Sequence, residues 1–147
     1  MSVEYRTVDI VLCAALGLPG MLHYNRFIAF HGLTIGTLSV LGDGLQIPSF
    51  LFWDRLGAVT TFVTWFSYGI SLAPNMTRFF MTYEVIIVAN SLIWQQIALS
   101  YFYHKKDNRN GIFYQRLWHI CAFASMTSLV AYDYLFVANR YPHFLLF

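Results

Sequence analysis

The chain has 147 residues, 58% hydrophobic, 19% aromatic and only 11% charged, with a net charge of +2 and a mean hydropathy of +0.53. Ordinary soluble domains carry about 25% charged residues, and a soluble fold of this size could not hide so much apolar surface. Composition therefore predicts a single polytopic membrane domain over 1–147, and the low charge, with no basic run beyond Lys105-Lys106, argues against a nucleic-acid partner.

Residues 1–9 are polar, with Glu4, Arg6 and Asp9. They resemble neither the basic n-region of a secretory signal nor an Arg-rich, acid-poor presequence. A first apolar segment covers 10–22 and is short for a span; Gly17, Pro19 and Gly20 within it predict a kink or recruitment of flanking residues. The second, 27–41, holds His31 and a small-xxx-small pair, Gly32 and Gly36, which lets helices approach closely. Gly42, Asp43, Gly44 and Pro48 mark a turn, so 43–55 reads as a loop in which Phe50, Leu51, Phe52 and Trp53 dip into the headgroups.

A third segment, 56–73, carries Thr60, Thr61, Thr64, Ser67 and Ser71, whose hydroxyls can bond to their own helix or to another. The sequon Asn75-Met76-Thr77 lies too close to two spans to be used. The fourth segment, 79–103, is the expected centre of the bundle: Glu84, Asn90, Gln95 and Gln96 are expensive in hydrocarbon and should face other helices. Residues 104–116 read as a solvent loop, 117–138 as a fifth segment, and 139–147 as a tail on the membrane surface or against a partner. The predicted fold is an all-α integral membrane bundle of about five transmembrane helices, or four if 10–22 does not span. Tyr24, Trp53, Tyr101, Tyr103, Tyr114, Trp118 and Tyr141 cluster near segment ends as an aromatic belt, and Cys13 and Cys121 read as packing residues.

Five spans put Arg6, Arg55, Lys105, Lys106, Arg109 and Arg116 on one side and Arg26, Arg78 and Arg140 on the other. Positive charge marks the inner side, which predicts a cytoplasmic or matrix-side N-terminus. No organelle address is present; the mitochondrial inner membrane and the endoplasmic reticulum both suit the chain.

On this topology His31, Glu84 and Asp133 share a depth. Intramembrane acids with an imidazole are suited to binding a metal or relaying protons. The alternative is that each bonds a neighbouring helix, or that an acid stays protonated. His119, Asp43 and Asp54 form a secondary set near the inner side. His31 and His119 fall in different leaflets, which argues against bis-histidine haem. There is no GxSxG, CxxC, HExxH or phosphate-binding glycine loop. No cofactor is predicted, while a metal or a bound lipid would be compatible.

Leu117-Trp118-His119-Ile120 resembles the Trp-His segment in the last helix of the alkaline ceramidase and myomaker-like membrane hydrolase superfamily, and the surroundings of Ser39, Asp43 and Asp54 resemble its earlier helices. The resemblance implies seven helices and a histidine-rich metal site, with a further histidine one turn before the last-helix pair. Here that position is Gln115 and there is room for about five spans, so a metal hydrolase would lack ligands. The expected role is a non-catalytic accessory or structural subunit of a larger membrane complex, suited to an energy-converting organelle membrane, with other membrane subunits as partners. The alternative is a membrane-embedded metal-dependent hydrolase or a proton- or ion-handling protein.

Overall fold

The computed structural model describes residues 3–23 and 25–138, with the side chains of 7–23, 25–107 and 109–137; Tyr24 and the 139–147 tail lie outside them. The fold is all-helical, 92% helix, with no strand among the described residues. In order come α1 (Val3–Met21), α2 (Arg26–Ser39), α3 (Pro48–Leu72), α4 (Arg78–Ser100) and α5 (Asn108–Tyr132). Widened π-helical turns extend α2 (Val40–Gly44), α4 (Tyr101–Lys105) and α5 (Asp133–Ala138).

Three stretches are long and apolar enough to cross a bilayer: Pro48–Asn75, Arg78–Lys105 and Arg109–Val137. At 28 or 29 residues each they reach about 42 Å, beyond the ~30 Å hydrocarbon core. The apolar part of α1, Thr7–Met21, is shorter.

Two expected loops are largely helical. Pro48 sits in the first turn of α3, where its missing N–H removes no hydrogen bond, so Phe50–Trp53 belong to a helix and not to a loop. The chain turns just before it: Gln46 adopts the left-handed φ of 54°, and the Ile47 N–H donates to Leu41 O at 3.1 Å. Likewise α5 starts at Asn108, and most of 104–116 is helix. Lys106, at φ 51°, makes the turn. Asp107 then caps α5, its Oδ1 accepting from the Asn110 N–H at 3.2 Å and its Oδ2 from Asn110 Nδ2 at 2.6 Å. His104, Lys105, Lys106, Arg109 and Asn110 are exposed, while Gly111 is buried and 114–116 are half-buried; polarity does not by itself prevent a capped helix.

The chain forms two compact units, Met1–Met76 with Met126–Phe147, and Thr77–Ser125. In the first, α1 and α2 meet backbone to backbone. A Cβ on Gly17 would lie 2.6 Å from Gly32 O, and one on Gly32 would lie 2.7 Å from both Gly17 O and Gly20 Cα. Only glycine permits this approach. The hairpin rests on α3, with Ile35 Cδ1 2.9 Å from where a Cβ on Gly57 would sit. Cys13, Leu16, Ile28, Ile35 and Trp65 form the apolar core together with Met126, Leu129 and Val130. Leu129 contacts the Gly69 face of α3.

In the second unit α4 and residues 108–125 run antiparallel. Ser125 Oγ donates to Glu84 Oε2 at 2.7 Å at one end. At the other, Tyr114 stacks on both Trp94 (centroids 5.7 Å) and Tyr101 (5.2 Å). Gly111 gives the Phe102 ring room.

Candidate functional site: two buried polar clusters

The best-defined polar cluster lies in the first unit where the α1–α2 turn meets α3 and the end of α5. Asn25 starts α2 by accepting, through Oδ1, from the Phe27 N–H (2.9 Å) and the Ile28 N–H (3.4 Å). Its own N–H donates to His23 Nδ1 at 3.0 Å. Nδ1 is therefore an acceptor, and hydrogen-bond logic assigns the ring proton to Nε2. Nε2 donates to the Tyr68 hydroxyl at 2.9 Å, and that hydroxyl donates to Asp133 Oδ2 at 2.5 Å. His23 Nε2 itself stands 3.7 Å from Asp133 Oδ2.

The cluster is dry: His23 is 5% exposed and Asp133 1%. Burial pulls the His23 pKa below the ordinary imidazole range, and the nearby Asp133 only partly opposes it. Tyr134 and Tyr132 fasten the same corner, donating to Leu22 O at 3.0 Å and to Asn75 O at 2.8 Å. Chemically the arrangement is a directed hydrogen-bond chain from imidazole through phenol to carboxylate. It holds its protons in one direction, and passing one along it requires the Asn25 contact at Nδ1 to open so that the ring can take up a second proton.

A second cluster closes the opposite end of the hairpin. Asp54, buried on α3, is hydrogen-bonded to Ser39 and to Asp43, with Arg55 nearby. The Cys13 thiol is also hydrogen-bonded to Ser39. Gly42 makes the approach possible, since a Cβ there would lie 2.6 Å from Asp54 Cβ. Asp54 and Tyr68 are fourteen residues apart on α3 (68 − 54), roughly 21 Å along the axis. The polar clusters thus bracket an apolar slab. Within it Thr60 and Thr61 satisfy their hydroxyls on Gly57 O of their own helix, at 2.9 and 2.8 Å.

Of the remaining candidates, His31 belongs to the first unit and Glu84 and His119 to the second. Glu84 is buried and takes the Ser125 hydroxyl. His119 is buried with its ring 4.5 Å from Trp118. Both ring nitrogens of His31 are buried without a hydrogen-bond partner among the described residues. Asp43 and Asp54 of the secondary set are brought together, and Asp133 of the primary set is engaged by His23 and Tyr68. Among the described residues no three His, Cys, Asp or Glu side chains converge to hold a metal ion.

His23 and Tyr68 are the members that sequence reasoning passed over. His23 sits in a short connection, and Tyr68 is one of ten tyrosines. The one local signal was Asn25, a strong N-cap residue two positions after a histidine. Compared with known protein families, characterised proteins and solved structures, the chain matches none.

Proposed function

We propose that this multi-pass membrane protein is a non-catalytic accessory subunit of a larger membrane assembly. The observation that supports this reading is the surface of α4. Only 11% of its apolar stretch is buried within the chain. Gln96 lies exposed on that helix, although an amide facing hydrocarbon is costly unless another polar group meets it. A partner helix against α4 would supply one. We read α1 and α2 as additional crossings, five in all, with the N-terminus and the Lys106 turn on the cytoplasmic or matrix side. An energy-converting organelle membrane suits such a subunit.

The test is gentle detergent extraction from the native membrane and mass analysis of the native-gel band. Migration with a stoichiometric set of other membrane proteins, weakened by Gln96→Leu, is the expected result. Migration as a lone chain overturns the reading.

The His23–Tyr68–Asp133 chain favours a second reading, a proton-handling role. In proteoliposomes that reading requires proton flux that Tyr68→Phe abolishes while the fold persists. A metal-dependent hydrolase has weaker support, since no ligand set converges among the described residues.

A further inference from the structure

The connection between α4 and α5 concentrates exposed positive charge on a base of stacked aromatic rings. Lys105, Lys106 and Arg109 are all exposed. Lys105 Nζ lies 4.2 Å above the centre of the Tyr101 ring, and that ring is backed by Tyr114 and then by Trp94. The exposed ammonium thus sits over the face of a stacked aromatic column, where the ring quadrupole attracts it. Lys106 occupies the left-handed turn that reverses the chain, which projects it from the tip.

The single carboxylate within 104–109, Asp107, has Oδ1 and Oδ2 engaged by Asn110. It serves the start of α5, where it also accepts from the Arg109 N–H and lies near the Arg109 charge, so it offsets part of the positive charge at Arg109. Two further aromatic side chains at this end, Tyr103 and Phe113, are each 54% exposed. Exposed tyrosine and phenylalanine beside three cations, at the junction of two helices of membrane-spanning length, have the composition of a surface that sits at headgroup level.

We propose that the α4–α5 turn is a binding surface for anionic phospholipid headgroups, with Lys105, Lys106 and Arg109 taking the phosphodiester oxygens and the Trp94–Tyr114–Tyr101 column setting the depth. Lipid is favoured over an acidic protein segment because aromatic groups and then basic ones follow one another along α4 toward its end, the order in which a helix leaving hydrocarbon would meet headgroups. A soluble partner would use the basic tip alone and would leave Tyr103 and Phe113 unused.

The experiment uses the full chain in nanodiscs of phosphatidylcholine containing one-fifth phosphatidylglycerol, with retained lipids counted by native mass spectrometry after release. The wild-type chain is expected to retain phosphatidylglycerol in excess of its share. Each basic side chain near an anionic surface strengthens association by about five-fold, so Lys105→Gln with Lys106→Gln should lower the relative affinity on the order of twenty-fold and remove nearly all of the excess. Lys105→Arg with Lys106→Arg should preserve it, and so should Arg78→Gln at the other end of α4. The proposal is overturned if the wild type shows no preference, or if the double glutamine variant keeps it. It is equally overturned if that variant loses a co-purifying acidic protein while its lipid profile is unchanged.

Discussion

Tyr68 is the side chain on which the buried cluster depends, because its hydroxyl accepts from His23 and donates to Asp133. Tyr68→Phe removes both bonds and leaves a buried carboxylate without that donor. A cost of about 2–3 kcal/mol is expected, read as a lower midpoint of thermal unfolding in detergent. His23 adds a pH dependence whose sign follows from burial. Its folded-state pKa lies below the unfolded value of 6.5. Its contribution to stability is therefore complete above that value and declines as pH falls, because the unfolded chain takes up a proton that the folded one resists. Unfolding followed between pH 8 and pH 5 should show a declining midpoint in the wild type and a flatter one in His23→Gln; equal slopes would count against a buried neutral imidazole. Gln46 holds a left-handed backbone that costs a side chain roughly 1 kcal/mol relative to glycine, so Gln46→Gly should raise the midpoint slightly.

Among the elements, the α1–α2 hairpin is the most sharply determined. Its glycines admit no Cβ without moving backbone: the nearest atoms to one on Gly32 are a carbonyl oxygen and a Cα at 2.7 Å. Gly32→Ala should therefore separate the helices and cost about 3 kcal/mol, whereas Gly69→Ala, which meets only Leu129 methyls at 3.8 and 3.9 Å, should be tolerated. Paired unfolding curves decide the point; equal stability of the two variants would contradict close backbone contact. The Gly32/Gly36 spacing was legible in the sequence. Its partners Gly17 and Gly20 were visible only as sources of a kink, because nothing in a linear chain says which face of α1 meets α2. The π-helical turns were not legible either. Two of them hold candidate acids, Asp43 and Asp133, in the widened geometry that often occurs at functional positions.

For the whole molecule, the number of crossings turns on the α1–α2 hairpin. Thr7–Met21 is 15 residues long (21 − 7 + 1), about 22 Å of helix and short of the ~30 Å core. A hairpin that crosses puts its turn on the side opposite the α4–α5 turn. In a chain whose native cysteines have been replaced, Arg26→Cys and Lys106→Cys should then react with an impermeant maleimide from opposite faces of a sealed vesicle. Labelling from one face would make the hairpin re-entrant and reduce the crossings to three. The tight glycine packing suits a true crossing, since van der Waals contact holds helices together where water cannot drive them.

Composition and the lengths of the apolar runs pointed to the helical class and to a membrane, because a low charged fraction and long apolar runs have few other solutions; the structure has three helices long and apolar enough to cross one. It also singled out Glu84 and Asp133, since an ionisable group in an apolar run stands out by its cost. The tertiary structure alone decided what those groups touch. His23, Tyr68 and Asp133 are separated by 45 and 65 residues, and hydrogen bonds at such separations leave no periodic trace. The same holds for Ser39 and Asp43 with Asp54, where a glycine at position 42 lets a carboxylate approach that any larger side chain would exclude. Sequence patterns record which surfaces avoid water; the pairing of polar atoms is settled by which faces the folded chain presses together.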